Sequence, residues 1–274
     1  MPSFRSSLTA LSVSDQQLIQ SFFSRLIVEN QCVRLPVERI DAALYTSHIK
    51  PALTKLGGKW SSRKQGFEFA FDPTARIQGL LEGERVNLRS QYHYFDTPSS
   101  LAGDLFHFFE ESGFELPSAQ QRVNTRVLEP SAGQGNLLKY LNVQGFKTLS
   151  YFELMDENRQ VLNRECERLG ILATCLGTDF LGAPPQPVFD LIVANPPFRD
   201  EKKHFAHMFR FLKDGGHCML IASPKRYMDD SFGWFLSENL SGWQMRLMEG
   251  STYSPLFEHT AIGCVMIVGK KRNG

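Results

Sequence analysis

The stretch Val127-Leu128-Glu129-Pro130-Ser131-Ala132-Gly133-Gln134-Gly135 decides the fold of this chain. Its apolar start predicts a buried β-strand, and its glycines predict a turn that leads into a helix beginning at Asn136. Glycines let the backbone approach a ligand closely, and a helix start offers free amide donors. The stretch has neither the Gly-Lys-Ser/Thr ending of a P-loop nor the spacing of a dinucleotide fingerprint. It therefore indicates a loop that binds a nucleoside-type cofactor.

A second motif, Asn195-Pro196-Pro197-Phe198, directly follows the apolar run Leu191-Ile192-Val193-Ala194. Proline fixes φ and has no N–H, so we expect the two prolines to hold Asn195 and the Pro196 carbonyl in one rigid arrangement. Both oxygens can then accept from a single amino group. The Phe198 ring adds a flat face for a heteroaromatic base, a contact worth about 1–3 kcal/mol. The motif predicts chemistry on a planar amine, and its plainer alternative is a turn that caps a strand.

The C-terminal two thirds of the chain alternate strand-like and helix-like segments, which predicts a mostly parallel α/β sheet with helices on both faces. We expect seven strands, the last three at residues 217–222, 245–248 and 262–268. Helices are predicted at residues 156–169 and 200–212, with Gly170 and Gly215 just past their ends. In such sheets ligands bind beyond the carboxyl ends of the strands. Four polar residues lie at such ends: Glu129, Glu153, Asp179 and Asn195.

Composition is that of an ordinary globular chain of one or two domains, with 274 residues, 42% hydrophobic and 22% charged. The five cysteines have no Cys-x-x-Cys spacing, so we expect reduced thiols, no zinc site and a cytoplasmic protein. No apolar stretch approaches the roughly 18 residues of a membrane span, and no export signal pattern begins the chain. A net charge of +1 excludes a uniformly basic surface, so phosphate binding requires a local patch.

The N-terminal segment has a different pattern. A helix is predicted after Ser14-Asp15, with an apolar face formed by Leu18, Phe22 and Leu26 and flanked by Ile19, Phe23 and Ile27. A second helical pattern follows Pro36 and ends near Gly57-Gly58. Residues 59–69 then predict a β-hairpin.

This hairpin is the candidate basic patch. Between Ala42 and Phe67 five basic residues meet no Asp or Glu, and Trp60 stands among them; they are Lys50, Lys55, Lys59, Arg63 and Lys64. Basic side chains interleaved with an aromatic ring suit a nucleic-acid backbone. We predict that Lys59, Trp60, Arg63 and Lys64 bind substrate. The alternative is a solvated face on which Trp60 packs under the hairpin.

In its motifs the chain resembles the S-adenosylmethionine-dependent DNA adenine-N(6) methyltransferases, from about Tyr92 to Lys271. Glu-Pro-Ser-Ala-Gly-Gln-Gly is similar to their cofactor motif and Asn-Pro-Pro-Phe to their catalytic motif. The hairpin is similar to an N-terminal region of phage- and plasmid-borne members. The resemblance implies a Rossmann-like, seven-stranded class I methyltransferase domain at residues 89–274. Residues 1–88 then form a small accessory module that can bind DNA.

The resemblance also implies which residues bind S-adenosylmethionine. Glu153, with Leu154 beside it, accepts from both ribose hydroxyls, Asp179 accepts from the adenine amine, and Phe180 packs on the adenine ring. The segment Phe95-Asp96-Thr97-Pro98-Ser99-Ser100-Leu101-Ala102 closes over the methionine end. The cofactor-binding residues are then Phe95, Thr97, Glu129, Pro130, Ser131, Ala132, Gly133, Gly135, Glu153, Leu154, Asp179 and Phe180.

For catalysis the resemblance implies Asn195, Pro196, Pro197 and Phe198, acting on an adenine flipped out of duplex DNA. Phe198 stacks on one face of that base, and Phe257 packs against the other. The chain leaves no room for a target-recognition domain between Gly135 and Asn195. We expect the N-terminal module to replace that domain, which gives a short or relaxed target site, and we expect a monomer.

Two other functions remain open. Asn-Pro-Pro-aromatic motifs also serve methyltransferases that modify ribosomal RNA bases or a protein glutamine. A catalytically silent protein that binds nucleic acid is the non-enzymatic alternative, although every motif position carries a competent residue. His204 and His207 lie one helical turn apart, but without a third ligand we interpret them as surface residues of a helix and assign no metal.

Overall fold

The computed structural model describes residues 13–37, 40–82, 96–250, 257 and 263–273. The chain divides into two compact units, Met1–Tyr92 and His93–Gly274. None of the helices in the described ranges has the length and hydrophobicity to span a bilayer.

The first unit combines short helices with a small sheet. Its elements are α1 (Val13–Ser24), β1 (Ile27–Glu29), β2 (Cys32–Arg34), α2 (Ala42–Leu44), a π-helical segment (Tyr45–Ile49), α3 (Lys50–Lys55), β3 (Lys59–Ser61), β4 (Gly66–Glu68) and α4 (Thr74–Glu82). The strands form an antiparallel sheet in the order β1-β2-β4-β3. Fully buried side chains of α1, β2, α3 and β4 form its core, including Phe23, Val33, Leu53 and Phe67.

Two predictions for this unit are confirmed and one is partly wrong. The second helical stretch ends at Lys55, just before Gly57, and β3 pairs with β4 as the predicted hairpin. The predicted face of α1 is wrong at Leu18 and Ile27, which are both exposed. The backbone N–H groups of Arg25 and Leu26 donate to carbonyls three residues back, which ends the helix. Ile27 therefore begins β1 and pairs with Arg34.

The second unit is a three-layer α/β structure. Its elements are α5 (Ser99–Glu111), α6 (Ala119–Arg122), β5 (Arg126–Glu129), α7 (Asn136–Val143), β6 (Thr148–Phe152), α8 (Asp156–Leu169), β7 (Ala173–Gly177), β8 (Phe189–Ala194), α9 (Glu201–Phe211), β9 (Leu212–Ala222), a 3₁₀ turn (Pro224–Arg226), α10 (Asp230–Asn239), β10 (Leu240–Met248) and β11 (Cys264–Lys271). The predicted seven-stranded sheet is confirmed, in the order β10-β11-β9-β8-β5-β6-β7.

Strands β7, β6, β5, β8 and β9 are parallel. Strand β11 pairs antiparallel with β9, and β10 pairs antiparallel with β11, so β10 runs in the same direction as the first five strands. From β5 the chain adds β6 and β7 on one side, then returns to place β8 on the other. The order therefore reverses between β5 and β8, and crevices form at such switch points beyond the carboxyl ends of the strands. Glu129 ends β5, and Asn195 follows β8.

Alternating side chains feed two cores, one on each face of the sheet. In β8, Leu191 and Val193 join the core formed with α5, α7 and α8, whereas Ile192 and Ala194 join the core formed with α9 and α10. This alternation is the period-2 geometry of a strand that is buried on both faces. The two buried cores fix the height at which β5 and β8 end.

The structure confirms the helix at residues 156–169, which ends at Gly170 in the left-handed conformation (φ 64°). The predicted helix at residues 200–212 is confirmed as α9, but Gly215 does not cap it. Helix α9 ends at Phe211, and β9 begins at once, because Leu212 is extended and its side chain is buried in the core. Gly215 (φ 74°) lies in an irregular stretch of β9, between the pairs Phe189–Leu212 and Leu191–His217.

Candidate active site

A cleft lies at the switch point between β5 and β8. It is a small cleft, and its walls are formed by Asp96, Thr97, Glu129, Ser131, Ala132, Asn136, Leu137 and Asn195. Five of these residues were predicted site residues from three separate segments. The sheet therefore brings together the predicted cofactor loop, Asn195, which was predicted to be catalytic, and the segment before α5.

The loop between β5 and α7 needs glycine at two positions. Gly133 (φ 55°) and Gly135 (φ 81°) both have left-handed backbone, which side chains with a Cβ rarely adopt. A Cβ on Gly135 would also lie 3.1 Å from Leu162 Cγ. The N-cap residue of α7, Gly135, has no side chain that could cap the helix. The first amides of α7 are thus directed to the cleft, where Asn136 and Leu137 form part of the wall.

Glu129 is a buried carboxyl at the end of β5, only 2% exposed. It accepts a hydrogen bond from the backbone N–H of Leu138 in α7. Within the described part of the chain, Glu129 Oε2 and Ser131 Oγ have no hydrogen-bond partner. Burial raises the pKa of Glu129 well above its usual value, and the nearby Glu153 carboxylate raises it further. An unpaired buried carboxyl is costly, which indicates a ligand-binding role.

Replacing Glu129 by glutamine is expected to stabilise the ligand-free protein near neutral pH. Because the folded-state pKa lies above the unfolded value, the contribution of this group is fully present at low pH and is lost as the pH rises. Glu129→Gln removes that loss, so its melting temperature should exceed that of the wild type at about pH 8 and converge with it at about pH 5. Thermal unfolding at both pH values measures this. An equal or lower melting temperature at the higher pH contradicts it.

Glu153 joins the loop to the next strand. Its Oε2 accepts from Gly133 N at 2.7 Å, and its Oε1 accepts from Met155 N at 2.8 Å and Asn158 Nδ2 at 3.2 Å. Burial raises the pKa of Glu153, and these three hydrogen bonds oppose the shift. Leu154, the next residue, is exposed at the strand end. Glu153 therefore orders the cofactor loop, a role that the sequence did not suggest.

Two residues of α8 support this strand end and were missed in the sequence. Asn158 is buried and donates to Glu153, and Arg159 Nη1 donates to the carbonyls of Glu153 (2.7 Å) and Leu154 (2.9 Å). The only sequence feature that could have identified them is their position, five and six residues after Glu153 and in the first turn of the following helix. That spacing brings their side chains back to the strand end.

Asn195 is oriented by a residue 98 positions away. Its Nδ2 donates to Thr97 Oγ1 at 3.0 Å, and Thr97 is buried. The amide oxygen of Asn195 lies on the opposite side of Cγ from this contact. Pro196 is buried, and the Pro197 carbonyl accepts from Asp200 N at 3.1 Å, which closes the turn before α9. The predicted rigid turn is therefore present, with Thr97 as an unpredicted part of it.

Phe198 and Phe257 are both buried and contact each other edge to face, with ring centroids 6.3 Å apart and planes at 77°. The structure brings together the two rings that were predicted to flank a base. Their edge-to-face contact differs from the parallel arrangement that a base between them requires. Their roles on either face of a target base remain a prediction.

Asp179 is exposed beyond β7, and its Oδ1 accepts from Leu181 N at 3.0 Å. Phe180 is buried in the core against Phe152 and Phe211, so protein side chains surround the ring predicted to pack on adenine. Neither residue lines the cleft. Their cofactor roles remain predictions.

The two histidines of α9 are not simple surface residues, as the sequence had suggested. His204 stacks on Phe180 with centroids 5.9 Å apart, and burial lowers its pKa to about 4. His207 packs edge-on against Phe180, and its Nε2 lies 3.0 Å from the Ala183 carbonyl. Within the described ranges, no three His, Cys, Asp or Glu side chains are grouped to hold a metal ion.

In the first unit the predicted basic patch is smaller than the sequence suggests. Lys64 forms an ion pair with Glu68 at 2.6 Å, and Lys59 lies opposite Glu68 in the sheet. Glu68 lies one residue beyond the stretch from Ala42 to Phe67 that contains no Asp or Glu, and strand pairing places it next to the basic side chains of the hairpin. Trp60 packs edge-on against Phe67, at 5.3 Å, and is still 44% exposed. Arg63 is exposed, and Phe95 lies outside the described residues.

No protein-family model matches the sequence, and no curated protein matches it. Among solved structures, a putative RNA methyltransferase from Pyrococcus horikoshii is 16% identical, with a TM-score of 0.51 over 68% of this chain and 91% of that chain. The chain shares a Rossmann-like α/β fold with that protein.

Two further structures resemble the chain less. A tRNA methyltransferase from Aquifex aeolicus is 15% identical, with a TM-score of 0.44 over 62% of this chain and 69% of that chain. The YcgJ protein from Bacillus subtilis is 14% identical, with a TM-score of 0.46 over 63% of this chain and 99% of that chain. At such identities the likeness concerns the fold, and the site residues must carry any functional argument.

Proposed function

We propose that this protein transfers a methyl group from S-adenosylmethionine to the exocyclic amine of adenine in nucleic acid, with DNA as the first candidate. One observation carries the proposal: the oriented amide of Asn195 and the buried carboxyl of Glu129, whose Oε2 has no hydrogen-bond partner among the described residues, share one cleft at the switch point of the sheet. The first is suited to an amine substrate and the second to a cationic ligand.

The residues of the cleft fit the proposed cofactor. Glu129 Oε2 can accept from the ammonium group of its methionine part, and the first residues of α7, Asn136 and Leu137, line the cleft at a helix N-terminus that suits the carboxylate. Glu153 with Leu154 and Asp179 lie on the β6 and β7 side, where the motif resemblance assigns the ribose and the adenine. When bound, the cofactor supplies a methyl group on a sulfonium.

The chemistry of the amine assigns the roles of the Asn-Pro-Pro-Phe turn. The exocyclic nitrogen of adenine is a poor nucleophile because its lone pair is delocalised into the ring. If Asn195 Oδ1 and the Pro196 carbonyl each accept one amino hydrogen, the nitrogen becomes more tetrahedral and its lone pair can attack the sulfonium methyl. The carbon–sulfur bond would break as the carbon–nitrogen bond forms, leaving a thioether, and the methylated nitrogen would then lose one proton to solvent. Placement and electrostatics then supply most of the acceleration, and no covalent enzyme intermediate is needed.

Thr97 is the residue that fixes the amide orientation in this scheme. Thr97→Val removes the hydroxyl at nearly constant volume, and one net hydrogen bond is worth about 0.5–1.5 kcal/mol. We expect kcat to fall about 2- to 10-fold. Thr97→Ser keeps the hydroxyl and should retain the wild-type value. Steady-state kinetics of both variants measure this, and equal losses in the two contradict the orienting role.

RNA is the second candidate substrate. The solved structure reported above with the TM-score of 0.51 is described as a putative RNA methyltransferase. The lone-pair problem is the same for an RNA adenine, so the Asn195 mechanism applies unchanged. For DNA the support is the combination of Glu-Pro-Ser-Ala-Gly with Asn-Pro-Pro-Phe, which resembles the DNA adenine enzymes.

Methyl transfer from labelled S-adenosylmethionine, offered in parallel to unmodified DNA, RNA and a protein extract, tests the proposal. Nucleoside analysis should place the label on adenine, and Asn195→Ala should lose it. Label confined to RNA would assign the second candidate, and label on protein glutamine would assign a different substrate class. Cofactor binding without transfer to any of the three would favour a silent nucleic-acid-binding protein.

A further inference from the structure

The segment that follows β9 carries an unusual set of exposed side chains. Tyr227 is 43% exposed, Met228 86% and Trp234 75%. These large apolar groups lie within eight residues of one another, in the loop before α10 and in its second turn. Single exposed apolar side chains need no explanation, but an exposed cluster marks an interaction site. Trp and Tyr are the residues most often found at the centres of binding surfaces.

This segment lies beside the catalytic turn. Strands β8 and β9 are parallel neighbours, with Ala194 opposite Leu220, so Asn195 and Ser223 emerge at the same edge of the sheet. Neighbouring strands are about 4.8 Å apart. Across this edge, Lys202 Nζ of α9 donates to Ser231 Oγ of α10 at 3.0 Å. The exposed cluster is thus on the sheet edge where the proposed reaction takes place.

A buried ion network holds the segment in place. Glu201 is fully buried in the first turn of α9; its Oε2 accepts from Ser223 N and its Oε1 from Arg226 Nε, both at 2.7 Å. Arg226 Nη1 donates to Asp229 Oδ2 at 2.6 Å, and Asp229 caps α10 through Phe232 N at 3.1 Å. Burying charges is costly unless each is paired, as here. The apolar cluster is therefore displayed on a fixed loop.

Two cations flank the cluster. Arg199, the residue after Phe198, and Lys225 are exposed, and neither forms an ion pair or hydrogen bond within the described residues. Their neighbours Lys203 and Lys202 are occupied by Asp200 at 3.1 Å and by Asp229 at 3.8 Å. Asp230, in the first turn of α10, is an exposed carboxylate in the same segment. Unpaired cations beside flat rings match a single nucleic-acid strand, whose phosphates pair with cations and whose bases stack on rings.

We propose that one surface binds the nucleic-acid strand that flanks the target base. We call it the post-β9 surface; it consists of Lys225, Tyr227, Met228 and Trp234, which follow β9, together with Arg199, which precedes α9. The inference rests on the proposed function, because it requires that the substrate is a nucleic acid. Arg199 and Lys225 contact phosphates, and Tyr227 and Trp234 stack on neighbouring bases. The surface positions the strand so that the target base reaches Asn195.

Fluorescence anisotropy with the full chain tests this binding without turnover. The probes are labelled single strands of about 16 nucleotides that contain adenine, one of DNA and one of RNA. Tyr227→Ala and Trp234→Ala are each expected to weaken binding about 5- to 100-fold. Arg199→Ala and Lys225→Ala should each lower the slope of log affinity against log salt by about 0.7.

Matched controls come from the opposite edge of the sheet. Arg210 is exposed in the last turn of α9, and Leu172, which is 84% exposed, lies just before β7. Arg210→Ala and Leu172→Ala should bind as the wild type does. Lys59→Ala combined with Arg63→Ala reports separately on the N-terminal hairpin. All variants change exposed side chains, and unchanged melting temperatures confirm that they fold.

Weakened binding in the ring variants together with reduced salt slopes in the cation variants supports the post-β9 surface, whether or not the hairpin also contributes. Wild-type binding in all four variants, or a loss only in the hairpin variant, overturns it. So does a wild-type protein that binds neither strand. Anisotropy is independent of methyl transfer: a protein that binds through this surface and methylates nothing refutes the proposed function alone. A protein that methylates adenine through Asn195, but whose nucleic-acid binding is unchanged by these substitutions, refutes the post-β9 surface alone.

Discussion

Asn195→Ala is expected to lower kcat about 100- to 1,000-fold, the effect of removing one preorganised hydrogen-bonding group from an active site. The variant loses the acceptor for one amino hydrogen, so the lone pair of the substrate nitrogen stays in the ring. Cofactor affinity should be nearly unchanged, because the cofactor contacts are assigned to Glu129, Glu153 and α7. Single-turnover methyl transfer and equilibrium binding of the cofactor measure the two quantities separately.

Asn195→Asp is the matched control for this prediction. It keeps two oxygens at nearly the same positions, and the Thr97 hydroxyl can donate to a carboxylate where it now accepts from the amide. We expect its loss in kcat to be smaller than that of Asn195→Ala. If Asn195→Ala keeps wild-type kcat, or if its loss is entirely in cofactor affinity, the catalytic role of Asn195 is wrong.

Glu201→Ala is expected to destabilise the protein by about 3–5 kcal/mol. The substitution leaves the Arg226 guanidinium, whose side chain is 15% exposed, without its buried partner, and it leaves Ser223 N without an acceptor. For a unit of this size the loss corresponds to a melting temperature lower by about 6–20 °C. Thermal and urea unfolding of the wild type and the variant measure it.

Replacing both Glu201 and Arg226 distinguishes the loss of the ion pair from the cost of leaving one buried charge unpaired. Glu201→Leu combined with Arg226→Met removes both charges, so its destabilisation should be smaller than the sum of the single substitutions. Glu201→Gln retains the acceptor for Ser223 N and should fall between the wild type and Glu201→Ala. If the urea midpoint of Glu201→Ala equals that of the wild type, the network does not hold the segment after β9.

The sequence predicted the seven strands and the two site motifs because both depend on neighbouring residues. A strand buried on both faces appears as an apolar run, and a left-handed turn appears as glycine. Errors arose where local patterns had two solutions. Gly215 follows a helical pattern that was predicted to end at Leu212 with the glycine just past it, whereas the helix ends at Phe211 and Gly215 lies inside β9.

Within the site, the sequence supplied the residue types and the tertiary structure supplied their partners. Glu201 has the pattern of an ordinary acid in the first turn of a helix, which complements the helix dipole. Only the packing of β9 beside α9 shows that its carboxylate accepts from Ser223 N and Arg226. The basic window from Ala42 to Phe67 contained no acid, yet strand pairing placed Glu68 against Lys64.

By itself the sequence determined the order of the strands along the chain, the glycine turn after Glu129 and the rigid Asn-Pro-Pro-Phe turn, since backbone sterics and side-chain period act over a few residues. Only the tertiary structure decided that Thr97 orients Asn195, that Glu153 orders the Gly133 loop and that the segment after β9 begins at the same edge of the sheet as Asn195. These contacts join distant segments, and they form only when two buried cores fix where each strand of the sheet ends.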